Sequence, residues 1–176
     1  MLAVPSILNP ICYDLWGMKT DSDVSRTWQA LQSQAQLGEL MYLFGNFHDA
    51  CVREIHLVTG HYVHETLSMT VDWRTTVHML IQRQYRRLSA IELRFEELVG
   101  LRFSAPLPDC ENIIHDAAFF IQNGVFYWAD SSAWTPESSS ENTWVAARRV
   151  YWRDASEWLG ASLRYRSDAE PGSAHS

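Results

Sequence analysis

The chain has 176 residues, the size of one domain, with 47 % hydrophobic and 20 % charged side chains and a formal charge of −7. A chain this acidic without a basic tract is a poor match for nucleic acid or an anionic membrane, both of which need cationic contacts. A protein partner is expected instead, and a basic one fits best.

Residues 1–22 show no clear period. Leu2, Val4, Ile7, Ile11, Tyr13 and Leu15 form an apolar N-terminal arm, fit to pack on the domain or to join two copies. The stretch lacks a charged start and is interrupted by Pro5 and Pro10, so it does not read as a signal peptide, and no run is long enough to span a bilayer. A cytoplasmic address is the default. From Asp23 the spacing turns helical. Ser22 or Asp23 can cap, and Val24, Trp28, Leu31, Ala35 and the apolar positions from Leu37 to Phe44 recur mostly three and four apart. This predicts a helix over residues 24–43, ended by Gly45-Asn46.

Strands follow. Eight Trp, seven Tyr and seven Phe favour them, because bulky rings pack well on a pleated surface. In residues 51–59, alternation sets Val52 and Glu54 against Arg53, Ile55 and Leu57, and Gly60 supplies a turn. Further strands are predicted over residues 67–73 and 77–85, the second setting Val77, Met79 and Ile81 against His78, Leu80 and Gln82. The cleanest alternation is Ile91, Leu93 and Phe95 against Glu92, Arg94 and Glu96, which predicts one apolar face and one wet face. Pro106 and Pro108 close that segment.

The strongest local signal is Asn123-Gly124, set between two aromatic-rich runs. A type I′ turn needs two residues that tolerate positive φ, so the pair predicts a hairpin that joins Gln122 to Val125, Ile121 to Phe126 and Phe119 to Trp128. Phe119, Ile121, Phe126 and Trp128 then face the core. Phe120, Val125 and Tyr127 on the other side are too apolar to be left wholly in water. Ser-rich residues 131–142 read as a surface loop. A strand over residues 143–153 is predicted with Trp144, Ala146, Arg148, Val150 and Trp152 on one face and Val145, Ala147, Arg149, Tyr151 and Arg153 on the other. Residues 167–176 read as a disordered tail. The pattern as a whole predicts an α+β fold for residues 23–166 as one domain: a mostly antiparallel sheet, curled or two-layered, with one N-terminal helix packed on it.

His-Asp-Ala occurs twice, at His48-Asp49-Ala50 and at His115-Asp116-Ala117, and His beside Asp is a ligand pair of metal-assisted hydrolases. In a strand, His115 and Asp116 would leave on opposite faces. His48 and Asp49, joined by His56 or His115, therefore make up the catalytic and metal-binding alternative. His56, His61 and His64 do not share a face across a two-residue turn and read as scattered surface histidines. Glu92 and Glu96 share a face but lie roughly 13 Å apart, too far for a glycosidase carboxylate pair. An exposed ladder of alternating charge is the simpler account, extended by Arg83, Arg149 or Arg153 from neighbouring strands.

Cys12, Cys51 and Cys110 form no CxxC, so neither a disulfide framework nor a zinc site is expected, and Cys51 is expected to be buried and inert. No P-loop, GxSxG or GxGxxG is present, and no cofactor is expected. What remains is recognition material. Arg83, Glu92, Arg94, Glu96, Tyr127, Arg149, Tyr151 and Arg153 are the expected partner-binding residues, several of them of the types that anchor interfaces.

Phe47-His48-Asp49-Ala50-Cys51, Gly60-His61-Tyr62-Val63, Met69, Gln82-Arg83-Gln84, Ala90-Ile91-Glu92 with Phe95-Glu96, and Tyr127-Trp128-Ala129-Asp130 together resemble a family of small uncharacterised bacterial proteins, over residues 47–153. The first motif of that family reads Phe-His-Asp-Ser-Cys, from which Ala50 departs. The resemblance implies a bacterial, soluble, single-domain protein and supplies no catalytic residues. In general character, small acidic α+β proteins of this kind are similar to immunity proteins, which neutralise toxins by covering their active surface. The expected function is a non-enzymatic protein-binding module, immunity-like in type. The alternatives are a metal-assisted hydrolase built on His48 and Asp49, and a structural subunit that self-associates through its N-terminal arm.

Overall fold

The structure, a computed structural model, describes residues 26–105, 108, 113–138 and 141–165. The N-terminal arm over residues 1–22, the helix cap at Ser22 or Asp23, Cys12, Cys110 and the tail over residues 167–176 lie outside the described residues.

One helix and a seven-strand antiparallel sheet make an α+β fold, as the sequence pattern predicts. The strands are β1 (Gln29–Leu31), β2 (Ala50–Thr59), β5 (Thr75–Arg83), β6 (Ala90–Arg102), β7 (Ala118–Gln122), β8 (Val125–Ala129) and β9 (Trp144–Asp154). Their order is β2-β5-β6-β9-β8-β7, with β1 added to β9. A separate two-stranded hairpin, β3 (Tyr62–Val63) and β4 (Met69–Thr70), projects between β2 and β5. The sheet curls until Ile114, just before β7, bridges Ala50 at the start of β2.

The helix, α1 (Gln34–Leu43), is shorter than predicted. Trp28 and Leu31 have helical spacing, yet Gln29–Leu31 is extended and pairs with Trp152, Tyr151 and Val150. The cap is Ser33, whose side chain accepts from the Gln36 amide at 3.3 Å, while the Gln36 side chain accepts from the Gln32 amide at 2.7 Å. Leu37, Leu40 and Phe44 bury one face of α1, and the Gln34 side chain accepts from the Ile121 amide at 3.0 Å, covering part of the free edge of β7. Gly45 and Asn46 end the helix with left-handed backbone. Phe47 is also left-handed, at φ 63°, which costs an unbranched residue about 1–2 kcal/mol. Burial of its whole ring between Phe44, Phe119 and Trp128 returns about 2–3 kcal/mol, so the strained turn stands.

The inner face of the sheet carries the core. Val77, Met79 and Ile81 of β5 and Ile91, Leu93 and Phe95 of β6 are buried as their alternation predicts. The β7–β8 hairpin has the predicted register, with Asn123 at φ 52° and Gly124 at φ 74°. Its outer side is covered by Trp134 from the Ser-rich loop, stacked on Trp144, so that loop is anchored by a buried indole.

Several strand assignments are corrected. In β2 the register shifts between Val52 and Glu54, leaving Arg53 as a bulge, so Val52 and Ile55 both pack on the core and Glu54 turns outward. Simple alternation also fails in β9, where Val145, Ala147, Val150 and Trp152 are all core, opposite a β6 segment in which Glu97 takes φ 56°. The strand expected over residues 67–73 is reduced to Met69–Thr70. His115 and Asp116 lie in a bend before β7 and not in a strand. Cys51 is exposed, not buried.

Candidate functional site

The outer face of the sheet, expected to be wet, hides a carboxylate. Glu92 lies in the middle of the sheet with Leu80 of β5 and Arg153 of β9 as its cross-strand neighbours, and its side chain is fully buried. His78 Nδ1 lies 3.0 Å from Oε1, which also accepts from the Tyr165 hydroxyl. Arg153 Nε donates to Oε2 at 2.8 Å, and Arg164 Nη1 stands 3.0 Å from the same oxygen. Burial alone pushes the Glu92 carboxyl up. The hydrogen bonds from His78, Tyr165 and Arg153 and the charge of Arg164 outweigh it and hold the group down at about 2. Burial, then the Glu92 hydrogen bond, push the Tyr165 hydroxyl up.

Two pieces of chain cover this face. The guanidinium carbons of Arg94 and Arg153 lie 4.5 and 4.3 Å from the Trp28 ring, and that of Arg94 lies 4.4 Å from the Tyr151 ring. From the other end, residues 158–165 run across β5 and β2. Gln82 donates to the Trp158 carbonyl at 2.6 Å and the Gly160 carbonyl at 3.0 Å, and Arg53 donates to the carbonyls of Gly160 and Ala161. The Glu54 carboxylate accepts from the backbone amides of Arg164 and Tyr165 at 2.8 and 2.9 Å. The Tyr165 ring stacks on His56 with centroids 4.5 Å apart.

The predicted partner-binding residues therefore divide. Glu92, Arg94, Glu96, Arg149, Tyr151 and Arg153 do form one polar ladder: Arg94 meets Glu96 at 3.1 Å, and Arg149 meets Glu96 at 3.3 Å and Glu97 at 2.9 Å. Its Glu92 end is buried, and only the Arg149 end is substantially exposed. Tyr127 is half-buried, stacked on Phe120. Arg83 is not part of the ladder. It points to the core side, against Phe44, and donates to the carbonyls of Leu88, Arg87 and Leu43. Its burial makes it a brace for the helix exit. Sequence parity alone missed Trp28, His78, Arg164 and Tyr165. The one signal for them was an acid in the middle of a long strand with His78 and Arg153 on neighbouring strands of the same face.

His48 and Asp49 are both exposed and touch at 3.1 Å, and the His115 ring lies 6.4 Å from that of His48. His56 is separate, under Tyr165. His61 accepts from the Asp72 amide, and His64 Nε2 contacts the Thr70 hydroxyl at 2.9 Å. Among the described residues, no three His, Cys, Asp or Glu side chains gather in a way that could hold a metal ion.

A second feature is apolar. Beyond Gly60 the β3–β4 hairpin exposes Tyr62, Val63, Leu67, Met69, Val71 and Trp73, with Leu67 at 86 % and Trp73 at 71 %. Its base is fixed: the Gly60 amide donates to the Arg74 carbonyl at 2.7 Å, and Arg74 grips the Asp72 carboxylate. The Arg74 side-chain hydrogen bonds hold the Asp72 carboxyl down at about 2.

Among the described residues, no helix is long and apolar enough to cross a membrane. No family model, curated protein or solved structure matches the chain, so a functional reading rests on these two surfaces.

Proposed function

We propose that the chain is a non-enzymatic protein-binding module whose working surface is the β3–β4 hairpin. One observation carries this reading: six large apolar side chains stand exposed within residues 62–73, on and just beyond a hairpin whose base is locked. Isolated exposed apolar residues are ordinary, but this density of them on one projecting element marks an interaction site. Trp and Tyr within it are residue types that dominate binding energy at interfaces. The net charge of −7 favours a basic partner, and an immunity-like role, in which the chain covers a basic protein, is the form that fits both features.

The test is calorimetry of the purified chain against the products of the genes next to its own. At least one is expected to bind, and Trp73→Ser with Leu67→Ser is expected to weaken binding by 30-fold or more, the loss of one hot spot of about 2 kcal/mol. A double variant that binds as tightly as the parent, or a neighbourhood with no binder, overturns the reading.

A further inference from the structure

We propose that the outer face of β2, β5 and β6 is a groove for an extended partner segment carrying an arginine followed by an aromatic residue, and that this chain's own residues 158–165 fill it in the partner's absence. The proposal rests on the protein-binding reading but on none of the hairpin residues.

The sheet grips residues 158–165 mostly through main-chain atoms. Gln82 and Arg53 take carbonyl oxygens, and Glu54 takes two consecutive amides. Such contacts accept almost any sequence. Selection is confined to one end, where the buried Glu92 carboxylate takes the Arg164 guanidinium and the Tyr165 hydroxyl, and His56 offers its ring to the aromatic. The intervening side chains contribute little, since Leu159 and Leu163 are exposed rather than packed. A strap held by polar contacts to its main chain, with its leucine side chains left exposed, belongs to the less stable part of a fold. A competing segment that presents the same groups replaces each bond with its equivalent, so no buried polar group is left stranded.

The tether argues for a foreign segment over the strap of a second copy. Residues 155–158 are tied to their own sheet: the Ala155 amide donates to the Ala90 carbonyl at 3.0 Å, and Trp158 packs on Leu80, Ala90 and Ala155. Once Gln82 and Arg53 release the Gly160 and Ala161 carbonyls, only residues 159–163 lie between this tether and the seat of Arg164, a reach of about 17 Å. That is enough to lift off and too little to cross comfortably to another molecule.

The probe is a fluorescent decapeptide with the sequence of residues 156–165, titrated by anisotropy into the full-length chain and into full-length Arg164→Ala/Tyr165→Ala, which vacates the selective end. The vacated chain is expected to bind at least tenfold more tightly than the parent. A peptide with alanine in place of its arginine and tyrosine is expected to bind at least tenfold more weakly, and adding Glu92→Gln to the vacated chain is expected to abolish binding. A vacated chain that keeps the parent's near-UV circular dichroism but binds no peptide overturns the proposal. The parent supplies a readout free of mutation: excess peptide is expected to speed amide exchange at Arg164 and Tyr165, and unchanged exchange under peptide excess overturns it too. A dimeric mass of the parent in solution that the Arg164→Ala/Tyr165→Ala change abolishes assigns the groove to a second copy and overturns the foreign partner. Because the peptide carries none of the hairpin residues, failure here leaves the hairpin standing, and failure of the hairpin variants leaves this groove standing.

Discussion

Arg153 places two nitrogens on one oxygen of Glu92, Nε at 2.8 Å and Nη2 at 2.7 Å, from the position directly opposite it in the β6–β9 register. The pairing is set by strand register, so it forms whenever the two strands do. Arg164 and His78 then add to a group already fixed. A buried charge cluster of this kind is costly to leave half-made.

Glu92→Ala is accordingly expected to destabilise the fold by about 3–5 kcal/mol, because it leaves Arg153 and Arg164 without their shared anion in a covered site. Glu92→Gln keeps the shape and is expected to cost less. Urea unfolding followed by tryptophan fluorescence measures both, and an alanine variant within 1 kcal/mol of the parent contradicts the account.

The same carboxylate predicts a pH dependence. Its pKa is about 2 in the folded chain against an ordinary value of 4.5, so the unfolded chain binds the proton first as pH falls. The stabilisation is complete above the unfolded value and is lost as pH falls through the folded one. The urea midpoint of the parent is expected to decline below about pH 5. The gap between parent and Glu92→Gln is expected to narrow over the same range.

Gly45 and Gly124 both have positive φ, yet their substitution is expected to differ. Gly124 lies in an open turn with nothing within 4 Å of an added Cβ, so Gly124→Ala is expected to cost about 1–2 kcal/mol from the backbone alone. At Gly45 the added atom would fall 2.8 Å from Arg83 Nη1, and that guanidinium is committed to three carbonyls. Gly45→Ala is expected to lower the melting temperature more than Gly124→Ala.

Exposed Cys51 is expected to react with a thiol reagent in the native chain, and Cys51→Ser is expected to remove one equivalent of fast reaction. No difference between the two chains would mean that the thiol is shielded.

Much of the fold was legible in the sequence because strand parity and turn chemistry are local. The Asn123-Gly124 turn dictates its own register, and Val77 to Ile81 and Ile91 to Phe95 declare their buried side. Parity failed where a bulge interrupts it, at Arg53, and where β6 and β9 switch faces together near Glu97 and Arg148. Spacing alone extends the helix too far because Trp28 and Leu31, three apart, would share a helix face, whereas in extended chain they part, Trp28 over the outer face and Leu31 in the core; the Ser33–Gln36 cap was present to be read. The covered face was missed for another reason: alternation tells which side chains leave one face, and says nothing about what distant chain later lies on it. Glu92 and Tyr165 are 73 positions apart.

That separation also orders events in time. A ribosome releases β5 and β6 before Arg164 and Tyr165, so the Glu92 carboxylate lacks these two partners until they arrive. Drying of the outer face therefore follows the release of the strands it covers. A chain cut short before Arg164 would carry a sheet with a normal core and an open acid on its back, a difference that proteases reading surface mobility can detect.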